Sequence, residues 1–145
     1  MNVADLWIPP NMEALVSDFL RNEPEMVDLV ADRVYTAILK DPTFPFVRVV
    51  QLLDTPADGA PLYAVAFEMQ VEAFGGSKAE AWRIASTARA LIDARLSGDY
   101  PGFGVVNGTR PGSLLDLPDE AFTPAKPRWL FSSTIYGRPG ATVTS

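Results

Sequence analysis

The stretch from Tyr63 to Phe74 constrains the fold more than any other part of the chain. Tyr63, Val65, Phe67, Met69, Val71 and Ala73 alternate with Ala64, Ala66, Glu68, Gln70 and Glu72. Side chains of an extended strand point to opposite faces in turn. The first set therefore meets a core and the second meets water or a partner. A helix start follows directly. Gly75-Gly76 turns the chain, and Ser77-Lys78-Ala79-Glu80 is a capping box, with serine at the N-cap and glutamate three positions later. Ala81, Ile84, Ala85, Ala88, Leu91 and Ile92 then recur at helical spacing, which predicts a long helix to about Leu96 with Gly98 as its stop.

The other elements are shorter. Asn11 is a candidate N-cap for a helix carrying Met12, Leu15, Val16, Phe19 and Leu20 on one stripe. Pro24 is suited to the first position of a second helix with Met26, Val27, Leu29 and Val30. Val34 to Leu39 reads as a strand. Phe46 to Leu53 reads as another, with Val47, Val49 and Leu53 on one face and Phe46, Val50 and Leu52 on the other. A strand apolar on both faces is normally covered on both. Phe103 to Asn107 and Trp129 to Tyr136 read as two further strands, the latter with Trp129, Phe131 and Ile135 on one face. The proline-rich segments Asp54 to Pro61 and Pro111 to Pro127 read as loops. This order predicts one α+β domain over residues 1–145, a mostly antiparallel sheet of about five strands with two main helices packed on one face.

The composition removes most chemistry. The chain has no histidine and no cysteine, so disulfides, thiolate metal sites and the commonest general base are absent. Gly75 to Lys78 lies between a strand and a helix start, where amides can hold an anion, but its order is not that of a phosphate-binding loop; a turn plus a cap accounts for it. Glu68 and Glu72 share a strand face with Gln70 between them, and no third acid is near in sequence. A solvated or partner-facing surface accounts for them better than acid-base or cation chemistry. The sequence therefore predicts no catalytic residues, no cofactor and no metal. The net charge of −6 argues against binding nucleic acid through a basic surface. No apolar run approaches a membrane span, and Met1 to Pro10 lacks the pattern of a signal peptide, so a soluble protein made in a cytoplasm is expected.

One surface stands out as an assembly candidate. Phe46, Val50 and Leu52 form an apolar face where a lone two-layer domain would show water a polar one, and such patches mark contact sites. Arg48 projects from the same strand, on the face opposite Val47 and Val49. With Glu68, Gln70 and Glu72 of the alternating strand, these residues make up the candidate interface. Lys78, Arg83, Arg89 and Arg95 of the long helix are candidate partners for acids on another copy. The end of the chain, Gly137 to Ser145, has little to anchor it in a monomer and is expected to pack against a neighbour.

Several segments, in order, resemble the tail terminator proteins of long-tailed bacteriophages, particularly those infecting actinobacteria. They are Asn11 to Val16, Asp32 to Thr36, Asp41 to Pro45, Gly75 to Trp82 and Pro127 to Leu130. The segment Pro111 to Lys126 does not follow the family. The resemblance implies a structural virion protein of the tail or neck, made in the host cytoplasm. It implies a homohexameric ring seated on the last ring of tail tube protein, ending tube growth and joining the tail to the head-tail connector. It implies that DNA passes through the opening without sequence-specific binding, which a negatively charged ring suits. The two proline-rich loops are candidate arms ordered by neighbours. Another phage neck or tail-completion protein shares these properties, and a soluble bacterial ligand-binding α+β domain is the alternative from a different class. Leu52→Asp is expected to block self-assembly and leave a folded monomer, read by sedimentation velocity and circular dichroism; an unfolded variant would place Leu52 in the monomer core.

Overall fold

A computed structural model describes residues 8–56, 65–119, 122 and 124–140. Tyr63 and Ala64 of the alternating stretch, residues 57–61 of the first proline-rich segment, and residues 141–145 of the chain end lie outside these. So do Glu120, Ala121 and Thr123 of the second proline-rich segment. Helix α1 (Met12–Asn22) starts at Asn11, whose side chain accepts the Ala14 amide at 3.1 Å. Pro24 opens helix α2 (Pro24–Val30), which ends at Ala31 with a φ of 54°. Strands β1 (Val34–Tyr35), β2 (Phe46–Pro56) and β3 (Val65–Phe74) follow, then helix α3 (Lys78–Arg95). The chain closes with β4 (Gly98–Tyr100), β5 (Gly104–Pro111), β6 (Leu115–Asp116) and β7 (Arg128–Arg138). At the start of α3 the capping box is formed. Ser77 Oγ accepts the Glu80 amide at 3.1 Å, and the Glu80 carboxylate accepts the Gly76 amide at 2.7 Å.

These residues form three helices and a seven-stranded, mixed, curled sheet, a half-barrel rather than the expected five-stranded sheet under two helices. The path across the sheet is β1-β2-β3-β7-β5-β4, with β6 also paired to β7. Only β1 runs parallel to its neighbour; the other pairings are antiparallel. Three local features explain the difference. The strand expected over Val34 to Leu39 shrinks to β1, and the chain bends through residues 36–45, where Pro42 and Pro45 offer no amide to a ladder. Helix α3 ends at Arg95 with Leu96 as its C-cap, so Gly98, expected as the stop, lies two residues past the cap and begins β4 at a φ of 155°.

The largest difference lies in Pro111 to Pro127, expected as a loop. Its described residues belong to the far half of a long antiparallel hairpin. The Gly112 amide donates to Ser132 O at 2.7 Å and the Leu117 amide to Arg128 O at 3.0 Å. Asp119 and Lys126 exchange backbone hydrogen bonds at 3.0 and 3.2 Å. β5, β6 and β7 are thus one ladder interrupted at the Gly112 crook, and Pro118 sits between the donating amides of Leu117 and Asp119, where the ladder takes no amide from it.

β3 is central. It pairs along its whole length with β2 on one side and β7 on the other. Its Val65, Phe67, Met69, Val71 and Ala73 are buried with Val47, Val49, Phe131 and Ile135, under the apolar stripes of α1 and α3. Gly137 lets α1 settle close to the sheet, since a Cβ there would lie 2.8 Å from Met12 Cε and 3.1 Å from Val105 O. The opposite sheet face has a second, smaller core. Phe46 and Phe74 stack with ring centroids 4.5 Å apart. Phe44 and Phe122 close over them, with Phe122 5.5 Å from Phe44 and 6.0 Å from Phe74. The expected open Phe46 surface is therefore covered by the chain itself. Phe74→Ala removes the ring on which this cluster stacks and is expected to cost about 3–5 kcal/mol, seen as a lower urea midpoint with an unchanged slope.

Candidate assembly interface

The candidate interface residues lie on the sheet face away from the helices, and the ladder fixes their rows. Arg48 is opposite Glu72, and Val50 opposite Gln70. β7 extends the rows with Leu130, Ser132 and Thr134 opposite Glu72, Gln70 and Glu68. Glu72 is only 1% exposed, and its carboxylate accepts Arg48 Nε at 2.7 Å and a second Arg48 nitrogen at 2.9 Å. Gln70 Nε2 donates to it at 2.7 Å, and Arg128 approaches at 3.4 Å from β7. The carboxylate holds the Arg48 guanidinium above its ordinary range, chiefly through these hydrogen bonds. Arg128 also lies over the Phe74 ring and 3.8 Å from Asp119. Arg48, Gln70 and Glu72 thus converge within the chain as a clamp that ties β2, β3 and β7 together beside the aromatic cluster. Taking an acid out of water is costly, and two-pronged arginine pairing offsets that cost.

Leu52 has a different environment. The pairing runs Gln51 to Met69 and then Leu53 to Glu68, so Leu52 is the extra residue of a β-bulge. The Gln51 amide donates to the Glu13 carboxylate of α1 at 2.8 Å. The slip moves Leu53 to the other sheet face. Alternation alone puts it with Val47 and Val49, but it shares a row with Glu68 and Thr134 instead. Leu52 is 51% and Leu53 53% exposed. Glu68 accepts the Thr134 hydroxyl at 3.0 Å. The surface left open is therefore centred on Leu52, Leu53, Val50 and Glu68, while Phe46 and Glu72 lie beneath it.

Leu115 and Leu117, on the outer strand of the hairpin, are also about half exposed. Their signal in the sequence is weak, because the short alternation Leu115-Asp116-Leu117 lies between Pro111 and Pro118. Of the helix cations, Lys78 pairs with Asp116 at 3.0 Å, and Arg95 with Glu23 and Glu25, each at 2.9 Å. Both hold the chain's own elements together. Gly137 and Arg138 belong to β7 and are anchored in the monomer, contrary to the loose tail expected there.

No group of acids among the described residues is placed to hold a metal ion. An open-sided groove of about 560 Å³ runs between Pro9-Pro10, Tyr100 to Gly104 and Pro139. It presents prolines and two aromatic rings, with Asp99 as its charged residue. No helix among the described residues is long and apolar enough to cross a membrane. Comparison with protein-family models and with curated proteins gives no match.

Removing one partner of the clamp leaves the other charge unpaired. Glu72→Leu is expected to destabilise by about 3 kcal/mol, and the double change Arg48→Met with Glu72→Leu by clearly less. Chemical denaturation of the two variants checks the difference, and equal losses would mean that the clamp is not a coupled pair.

Proposed function

We propose that this chain is a structural, non-enzymatic tail terminator of a long-tailed phage. In this reading, copies assemble as a homohexameric ring on the last ring of tail tube protein, end tube growth and meet the head-tail connector. The observation that carries the self-assembly is the Leu52-Leu53 pair, adjacent in the chain and half exposed at the rim of β2. Apolar side chains grouped at a rim gain by being covered, at roughly 25 cal/mol per Å² removed from water.

The terminator role rests on the ordered segments that resemble that family. Two of them have clear local roles here: Asn11 caps α1, and Gly75 to Glu80 forms the turn and capping box of α3. The charge of −6 per copy suits a ring that DNA crosses without being held. The tail or neck of the virion is the location that goes with this role.

The reading as another neck or tail-completion protein shares the assembly argument and differs in the partner. A ligand-binding domain would have an enclosed apolar pocket, whereas the groove beside Tyr100 is open-sided.

Native mass spectrometry of the purified chain, with and without tail tube protein, is the test. The expected result is a hexamer that adds to tube rings and stops their growth. A hexamer that ignores tube protein but binds a connector protein would favour the neck reading. A lone subunit of 15.8 kDa at all concentrations would end both.

A further inference from the structure

We infer that the ring is held by Arg110 of one copy reaching over Leu53 of the next copy to the Glu68 carboxylate, an inference that rests on the ring reading above. β2, β3, β7 and β5 are successive antiparallel neighbours, so the two outer strands of this set run in opposite directions. Copies related by rotation about a ring axis keep their sense. The rim of β2 on one copy therefore meets the rim of β5 on the next in antiparallel sense, with no inversion of either.

Among the described residues, both rims lack a paired strand at the same level. β1 covers β2 only at Val47 and Arg48, and β4 covers β5 only from Gly104 to Val106. Between those caps, one cross-strand row runs Leu53, Glu68, Thr134, Arg110 from rim to rim on the face away from the helices. Continuing that row into a neighbour places Arg110 beside Leu53, with Glu68 one strand further in. Strands lie about 4.8 Å apart, so the arginine and the glutamate are separated by roughly 10 Å between Cα atoms, a span that their two side chains bridge. The aliphatic stem of the arginine then covers the exposed leucine while its guanidinium meets the acid.

The charges fit a second copy of this chain. Arg110 is exposed, Glu68 is half-buried with Thr134 as its hydrogen-bond partner, and neither has an ion-pair partner among the described residues. The rims are also guarded against arbitrary strands. Each has a bulge, at Gln51/Leu53 and at Val106/Gly108, and a proline at its end, Pro56 and Pro111. Glu13 occupies the Gln51 amide. Edges blunted in this way disfavour unspecific pairing, which leaves side chains to specify the neighbour. A contact between two different rims runs head-to-tail, as a closed ring requires.

Charge reversal tests the pair. Arg110→Glu is expected to convert the ring to subunits in sedimentation velocity, and the double change Arg110→Glu with Glu68→Arg to restore it. Cysteine coupling supplies an independent readout, because the chain has no cysteine of its own. A mixture of Thr55→Cys and Gly108→Cys chains, whose changed positions lie one row along on the same face and leave Arg110, Leu53 and Glu68 in place, is expected to give disulfide-linked dimers of one chain of each kind, and Thr55→Cys alone to give none. Links within Thr55→Cys alone would show a two-fold contact and overturn the proposal. An intact ring of Arg110→Glu would overturn it while leaving the ring standing. Coupled chains whose ring does not stop tube growth would keep the contact and remove the terminator role. A wild-type chain that stays a lone subunit, together with a cysteine mixture that gives no mixed link, would overturn both.

Discussion

β3 carries a continuous ladder on each side, and the rest of the molecule depends on that double pairing. Ten residues of β3 face ten of β7 without a break. This fixes which side chains lie together on each face. The apolar set can be buried only if every partner strand keeps step, because a slip by one residue sends its side chains to the wrong side. α1 and α3 lie over the face so defined. The clamp around Glu72 and the Phe46-Phe74 stack occupy the other. A polar network and an aromatic cluster side by side make that face a second region of order rather than a wet exterior.

β2 keeps step with β3 only as far as Gln51. There Glu13 from α1 takes the amide, one residue is left over, and the two leucines that follow stand half out in solvent. The bulge therefore does two things. It keeps the edge from offering a regular row of backbone donors, and it presents apolar side chains at a rim beyond which no strand is paired among the described residues. The hairpin from Gly104 to Arg138 gives the sheet its other rim. Its far end is held by Phe122 in the aromatic cluster and by Arg128 between Leu117 O, Glu72 and Asp119. A segment with the composition of a loop thus becomes a ladder because both of its ends are tied to the sheet.

Much of this architecture was legible in the residues themselves. The alternation of β3, the Asn11 and Ser77 caps, Pro24 at the start of α2 and the stripe of α3 are all local signals, set by backbone period and by the hydrogen-bonding needs of helix ends. The face shared by Arg48, Val50, Glu68, Gln70 and Glu72 was legible too, because parity along a strand is a local property. Parity puts Leu53 on the wrong face, because it holds only until a bulge intervenes, and at this bulge the Gln51 amide bonds to Glu13, thirty-eight positions away.

Sequence alone thus determined the elements with their own start and stop signals, and it excluded thiol and imidazole chemistry through residues that are absent. Tertiary structure alone decided which acid is buried. Glu68 and Glu72 are alike in type and in strand parity, yet Arg48 and Arg128 converge on Glu72 while Thr134 meets Glu68. It also decided that Phe46 is covered and Leu53 is not, and that prolines near the chain's end lie in a hairpin. Each of these outcomes depends on contacts between segments far apart along the chain. The free energy of such contacts comes from desolvation and pairing across space, which no local period records.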